Sequence, residues 1–313
     1  MSVARAGDMH HRESLLVRYQ LWFERSFAYV MMMPSTLFIL AFVGFPFLLL
    51  LTMSVTTGVF SVVQPIRWVG LLHYKRALAN TALWNYLGNT VIYVIGSIWV
   101  GAILHFLIAW ALNNLNPKFE RFWLTFILLP WAIPYVISAM FWKWMLQGDV
   151  GIIPWVLRGL GLISEEWQYM SGKWSAMAVI IVTHMWTWGP IAITLMNAGF
   201  KGIPQQMYEA AQVDGANPWQ QFRYITFPFM KPSILVSVVM LSMFTMRQMG
   251  EILTLTEGGP GKATTVLAIH IYRNLVLYGR PEYASVVGIL LMIATVVLVW
   301  IIHKLIAPRY ELD

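Results

Sequence analysis

The sequence predicts an all-α, polytopic membrane protein with six transmembrane helices, and three observations predict it. Of its 313 residues, 58% are hydrophobic and 11% charged, whereas soluble domains carry about 25% charged residues. Mean hydropathy is positive, at +0.64. Apolar stretches long enough for the about 20 residues that a spanning helix needs fall at 27–52, 86–112, 122–145, 174–197, 228–250 and 283–306.

The same composition excludes several classes of function. There is no cysteine, so disulfides and thiolate metal sites are ruled out. The net charge of +7 does not point to nucleic acid: basic residues of membrane proteins gather in cytoplasmic loops, and six spans leave no solvent-facing domain to hold a duplex.

Taken in order, residues 1–26 read as a cytoplasmic N-terminal segment. The first span is too long and too far from the N-terminus for a cleaved signal peptide, so it is expected to stay in the mature protein. With the N-terminus inside, Arg5, Arg12, Arg18, Arg25, Lys118, Arg121, Lys201, Arg223, Lys231, Lys304 and Arg309 lie inside. Arg67, Lys75, Arg76, Arg158, Lys173, Lys262, Arg273 and Arg280 lie outside. The excess is inside, which places both termini in the cytoplasm, the C-terminal tail being 307–313. Trp68, Trp84, Trp155, Trp167 and Trp174 sit near predicted span ends, where an indole anchors at the interface. The outer loop 251–282 holds a helical segment around Val266 to Leu277.

The segment Lys201 to Lys231, KGIPQQMYEAAQVDGANPWQQFRYITFPFMK, predicts two short helices and a turn. Pro204 opens the first, where its missing N–H costs nothing. Gly215 closes it by supplying a positive φ. Asn217 caps the second, with Pro218 in its first turn.

These residues resemble a known family. Glu209-Ala210-Ala211, then Asp214-Gly215-Ala216, Phe222, Pro228 and Pro232 are similar to the EAA loop of permease subunits of ABC importers, in the form of the maltose and glycerol-phosphate permeases. Leu255-Thr256-Glu257-Gly258-Gly259-Pro260 resembles the LT-x-GGP that those carbohydrate permeases carry after span five. The likeness covers about residues 30–306, and so implies one six-helix permease domain over 27–306 with the loop 201–231 as its coupling helix-turn-helix. It implies further that Glu209, Ala210, Ala211, Asp214, Gly215 and Ala216 dock on a cytoplasmic ATPase subunit and transmit its closure. Small alanines admit a close surface, Glu209 offers a carboxylate for charge-assisted hydrogen bonds, and a fixed turn transmits force.

The resemblance also implies the company this chain keeps in a bacterial inner membrane. It calls for a second permease subunit in a heterodimer, two ATPase subunits that use ATP and Mg, and an extracytoplasmic binding protein that delivers a sugar or related small polar solute. No cofactor is expected in the chain itself, and lipid surrounds it. The stretch Gly258 to Thr265 only superficially resembles a phosphate loop. Thr256 stands where its first glycine belongs and Ala263 where its Ser or Thr belongs, so no ATP hydrolysis is expected here.

For the solute path, span five carries Ser233, Ser237, Met240, Phe244, Arg247, Gln248 and Glu251 within one helical stripe. Arg247 and Glu251, four apart, are able to pair; both lie near the outer end, where snorkelling serves equally well. Span four offers Thr183, Thr187, Thr194 and Asn197 with His184 beside them. Span three stacks Trp131, Tyr135, Ser138, Trp142 and Met145. Pro130, Pro134 and Pro190 are expected to interrupt helices. Two other classes stand against the importer. A secondary transporter needs intramembrane acids for ion coupling, and Glu251 is the only acid in the predicted spans. A membrane enzyme needs a catalytic constellation, and His105 with His184 is the sole candidate pair, without a carboxylate or metal-ligand spacing.

Overall fold

The structure, a computed structural model, describes residues 27, 29–60, 65–148, 150–164 and 166–307. The N-terminal segment 1–26, with Arg5, Arg12, Arg18 and Arg25, and the tail from 308 onward, with Arg309, lie outside the described residues. The chain separates between Val69 and Gly70 into two units.

In the first unit, α1 (Tyr29–Val55) is the first apolar span. Its side chains are largely exposed, the arrangement that suits lipid. A minimal antiparallel ribbon follows, with β1 (Thr56–Thr57) opposite β2 (Arg67–Trp68), Thr56 facing Trp68 and Thr57 facing Arg67. The Val69 amide donates to the Val55 carbonyl at 2.9 Å, closing the excursion.

The second unit opens with α2 (Leu72–Leu78). Asn80 caps α3 (Thr81–Asn113) by accepting from the Ala82 amide at 3.0 Å. Next come α4 (Pro117–Ala132), α5 (Tyr135–Met145), α6 (Ile152–Gly159) and α7 (Lys173–Lys201). The segment 202–217 holds α8 (Gln205–Val213), and α9 (Pro218–Met246) follows. The chain ends with α10 (Gly250–Thr256), α11 (Leu267–Leu277) and α12 (Pro281–Ile306). Packing centres on α7, which lies against α3, α4 and α9, while α9 also packs on α12. The main core draws Tyr93 and Ile98 from α3, Met177 and Ile180 from α7, Val238 from α9 and Ile252 from α10. Outward faces stay apolar and exposed, as at Leu104, Phe126, Val182 and Val296. Polar residues such as Asn89, Thr183 and Ser242 are buried instead, the distribution a lipid solvent favours.

Three expectations need correction. The third span is not straight: α4 and α5 meet at 98°, so Trp131 does not stack with Tyr135, Ser138 and Trp142. Pro134 is the cause. It forces Ile133 into extended backbone (φ −86°, ψ 131°), whereas Pro130 and Pro190 are carried inside helices. The fifth span stops at Met246, and the chain turns through Arg247 to Met249 before α10 begins. The second helix expected in segment 201–231 is not short, because it runs on unbroken from Pro218 to Met246. A five-residue π-helical stretch, Phe222–Thr226, widens the turn just before Pro228, whose ring and missing N–H could not fit a tight turn there.

Candidate functional site

The hairpin between α7 and α9 is built by local chemistry. Helix α8 ends in a Schellman closure: the Ala216 amide donates to the Ala211 carbonyl at 2.8 Å and the Gly215 amide to Gln212 at 3.1 Å. Gly215 has φ +77°, with nothing within 4 Å of where a Cβ would stand. The turn therefore demands glycine for its backbone angle and not for space. Asn217 and Gln220 then form a reciprocal capping box, at 2.9 Å and 2.8 Å. The Tyr208 and Thr226 hydroxyls, 2.8 Å apart, tie α8 to α9. Glu209, Ala210, Asp214 and Gly215 are exposed, and Ala211 and Ala216 half-buried. Val213, at 88%, is the most exposed apolar side chain of the segment, and Met207, Trp219 and Tyr224 are exposed as well.

The hairpin is anchored at its entry by Glu120, which sequence reasoning missed, together with Asn197 of the span-four stripe and Lys201. Glu120, in the first turn of α4 and only 5% exposed, accepts from Asn197 Nδ2 at 2.7 Å and pairs with Lys201 Nζ at 2.5 Å. The signal was available: an acid at the start of one span and a lysine at the end of another, on the same predicted side.

The solute-path candidates separate into two groups. Phe244 stacks on Trp188 at 4.5 Å, and the exposed Arg247 guanidinium lies 5.0 Å over the Phe244 ring. Tyr135, also exposed, packs its ring on Gly250, where a Cβ would collide with it. The others are buried. Ser237 spends its hydroxyl on the Ser233 carbonyl at 2.7 Å. Thr187 Oγ1 has no partner among the described residues, and neither has Gln248 Nε2. Gln248 Oε1 accepts from the Met249 amide at 3.2 Å.

Glu251 does not pair with Arg247, and it does not snorkel. It is wholly buried, with Oε2 2.8 Å from His184 Nδ1. The expectation that His184 lacks a carboxylate is thus overturned. His184 Nε2 lies 2.9 Å from Thr245 Oγ1, which is also 2.7 Å from the Leu241 carbonyl. With the Thr245 hydrogen on Leu241, Nε2 is the donor there; with it on Nε2, Nδ1 donates to the Glu251 carboxylate. His105, also buried, fits between Gly101 and Gly189. No group of His, Asp and Glu among the described residues could hold a metal ion.

The phosphate-loop lookalike closes on itself. Thr264 Oγ1 donates to the Gly259 carbonyl at 2.7 Å and Thr265 Oγ1 to Gly258 at 3.1 Å. Asn89 Nδ2 reaches the Thr265 carbonyl at 3.1 Å, and Arg273 Nη2 the Glu257 carbonyl at 2.6 Å. Its hydroxyls serve the loop.

Comparison with known proteins matches residues 97–312 to the family described as binding-protein-dependent transport system inner membrane component. A probable ABC transporter permease protein of Brucella suis is 34% identical over 59% of this chain. The match spans 64% of that relative's length, under two thirds. The trehalose/maltose transport system permease protein MalF of Thermococcus litoralis is 31% identical over 87% of this chain and 91% of its own. The sulfoquinovosyl glycerol transport system permease protein SmoG of Agrobacterium fabrum is 28% identical over 89% of this chain and 91% of its own. Among solved structures, a bacterial ABC transporter that imports alginate aligns with a TM-score of 0.78 at 23% identity, covering 94% of this chain and 100% of that one. That likeness speaks to the fold.

Proposed function

Because the chain belongs to the family of binding-protein-dependent transport system inner membrane components, we propose that it is one of two permease subunits of an ATP-driven ABC importer for a sugar or related polar solute. The observation that carries this reading is the exposed, Schellman-closed hairpin carrying Glu209-Ala210-Ala211 and Asp214-Gly215-Ala216. A rigid turn between capped helices, with exposed apolar side chains on the same segment, is what docking on a second subunit requires. Relatives named for trehalose/maltose, arabinooligosaccharides and lactose support the sugar class.

In this reading the hairpin and both termini face the cytoplasm. Two ATPase subunits supply ATP and Mg chemistry, a second permease completes the pathway, and an extracytoplasmic binding protein delivers the solute. Tyr135, Phe244 and Arg247 form the part of the path open to solute. Thr187, Ser237, Gln248 and Glu251 support it from within.

The test is uptake by liposomes holding the complete complex. Transport should require internal ATP and binding protein, and should be indifferent to proton or sodium gradients at constant ATP. Gradient-driven uptake by this chain alone would refute the reading.

A further inference from the structure

We infer that Glu120 is a positioning residue for the hairpin: through Asn197 and Lys201 it fixes the last turn of α7 to the first turn of α4, so that the hairpin and the broken span move together. The inference rests on the functional reading above and adds a residue to it.

Asn197 and Lys201 are four residues apart in α7, on one face of its final turn. Glu120 Oε1 meets both, at 2.7 Å and 2.5 Å. Only Gly202, Ile203 and Pro204 separate Lys201 from α8. Any change in the direction of that last turn therefore swings the hairpin. A helix end left to itself frays, because its final carbonyls have no intrahelical partner. Here a buried carboxylate holds it from the first turn of α4, and the lysine also suits the negative end of the helix. The carboxylate is buried while the Lys201 side chain is half exposed, so Glu120 relies on both donors to satisfy it. Beyond Glu120, α4 leads through the 98° bend into α5, which packs closely on α10. The clamp thus connects the hairpin to the element carrying Tyr135.

The chain has no cysteine, so spin labels can be placed at Lys118→Cys on α4 and Gln206→Cys on α8, both exposed. The complete complex is examined in nanodiscs by label-to-label distance, without nucleotide and with MgATP and vanadate. The doubly labelled parent should give a narrow distribution in both states. Glu120→Gln, close in shape, should widen it about twofold while the ATPase subunits still co-purify. Lys201→Met should do the same, and the two together should widen it no further than the larger single effect, since they break one contact. Unchanged widths in the single variants, or widths that add, would overturn the proposal. So would failure of Glu120→Gln to accumulate in the membrane, which would make Glu120 a folding residue. If the parent never retained ATPase subunits, the importer reading would fail instead, while the distances would still test the clamp.

Discussion

Glu251 on α10 and His184 on α7 share a 2.8 Å hydrogen bond in the fully buried core of the membrane domain. This contact, between residues 67 apart, pins the short helix after the break to α7, at the centre of the packing. Replacing Glu251 with glutamine should be tolerated, because an amide can donate to His184 Nδ1 or accept from it, whichever tautomer is present. Alanine should leave Nδ1 unpaired at a cost of about 1–3 kcal/mol, before any cavity is counted. Thermal unfolding of the purified complex checks this, and equal transitions for both variants would remove the pair from the account of stability.

Gly215 and Glu209 test the hairpin. Valine at 215 must adopt φ +77°, at a cost on the order of 1–3 kcal/mol, whereas asparagine accepts that conformation far more readily. Uptake should fall for valine and largely survive for asparagine, with normal abundance in the membrane. Lysine at 209 keeps the turn and reverses an exposed charge, so ATPase co-purification should fall while the fold stays intact. Full ATPase association in both Gly215→Val and Glu209→Lys would end the assignment of this hairpin as the coupling element.

Arg247 and Phe244 test the path. Arg247 makes a cation–π contact and is exposed, so alanine there removes no buried partner and should not affect assembly. Uptake should drop while the ATPase subunits stay bound. Wild-type uptake in Arg247→Ala would return the residue to anchoring at the span end.

His270 predicts a pH dependence. It lies on α11, outside the spans, and burial lowers its pKa from the ordinary 6.5 to about 4, with Arg273 and Lys262 adding to the effect. Between those values the unfolded chain binds a proton that the folded chain refuses, so stability falls as pH drops from 6.5 toward 4. Above that window the residue contributes no slope. The unfolding temperature at about pH 5 should lie below that at about pH 7, and His270→Gln should narrow the gap. An undiminished gap in that variant would assign the slope to other groups.

By itself the sequence determined where the five unbroken apolar spans and the bent α4–α5 pair fall, and the hairpin with its turn. The Gly215 closure and the Asn217 cap depend on residues within about five positions of one another and a span on one continuous run of about 20, and both can be read along a chain. It also marked Pro134 as a breaker, though not that Pro134 alone would bend the backbone and that Pro130 and Pro190 would not. Tertiary structure decided what helical spacing misassigned. A stripe drawn through Ser237, Phe244, Arg247 and Glu251 assumed one continuous helix and a local pair at four-residue spacing. Instead, the chain breaks after Met246 and Glu251 turns to His184. Glu120, Asn197 and Lys201 meet from separate helices in the same way. In a low-dielectric interior a buried charge requires a partner, wherever in the sequence that partner lies, and only the packing of α4, α7 and α10 brings those partners within reach.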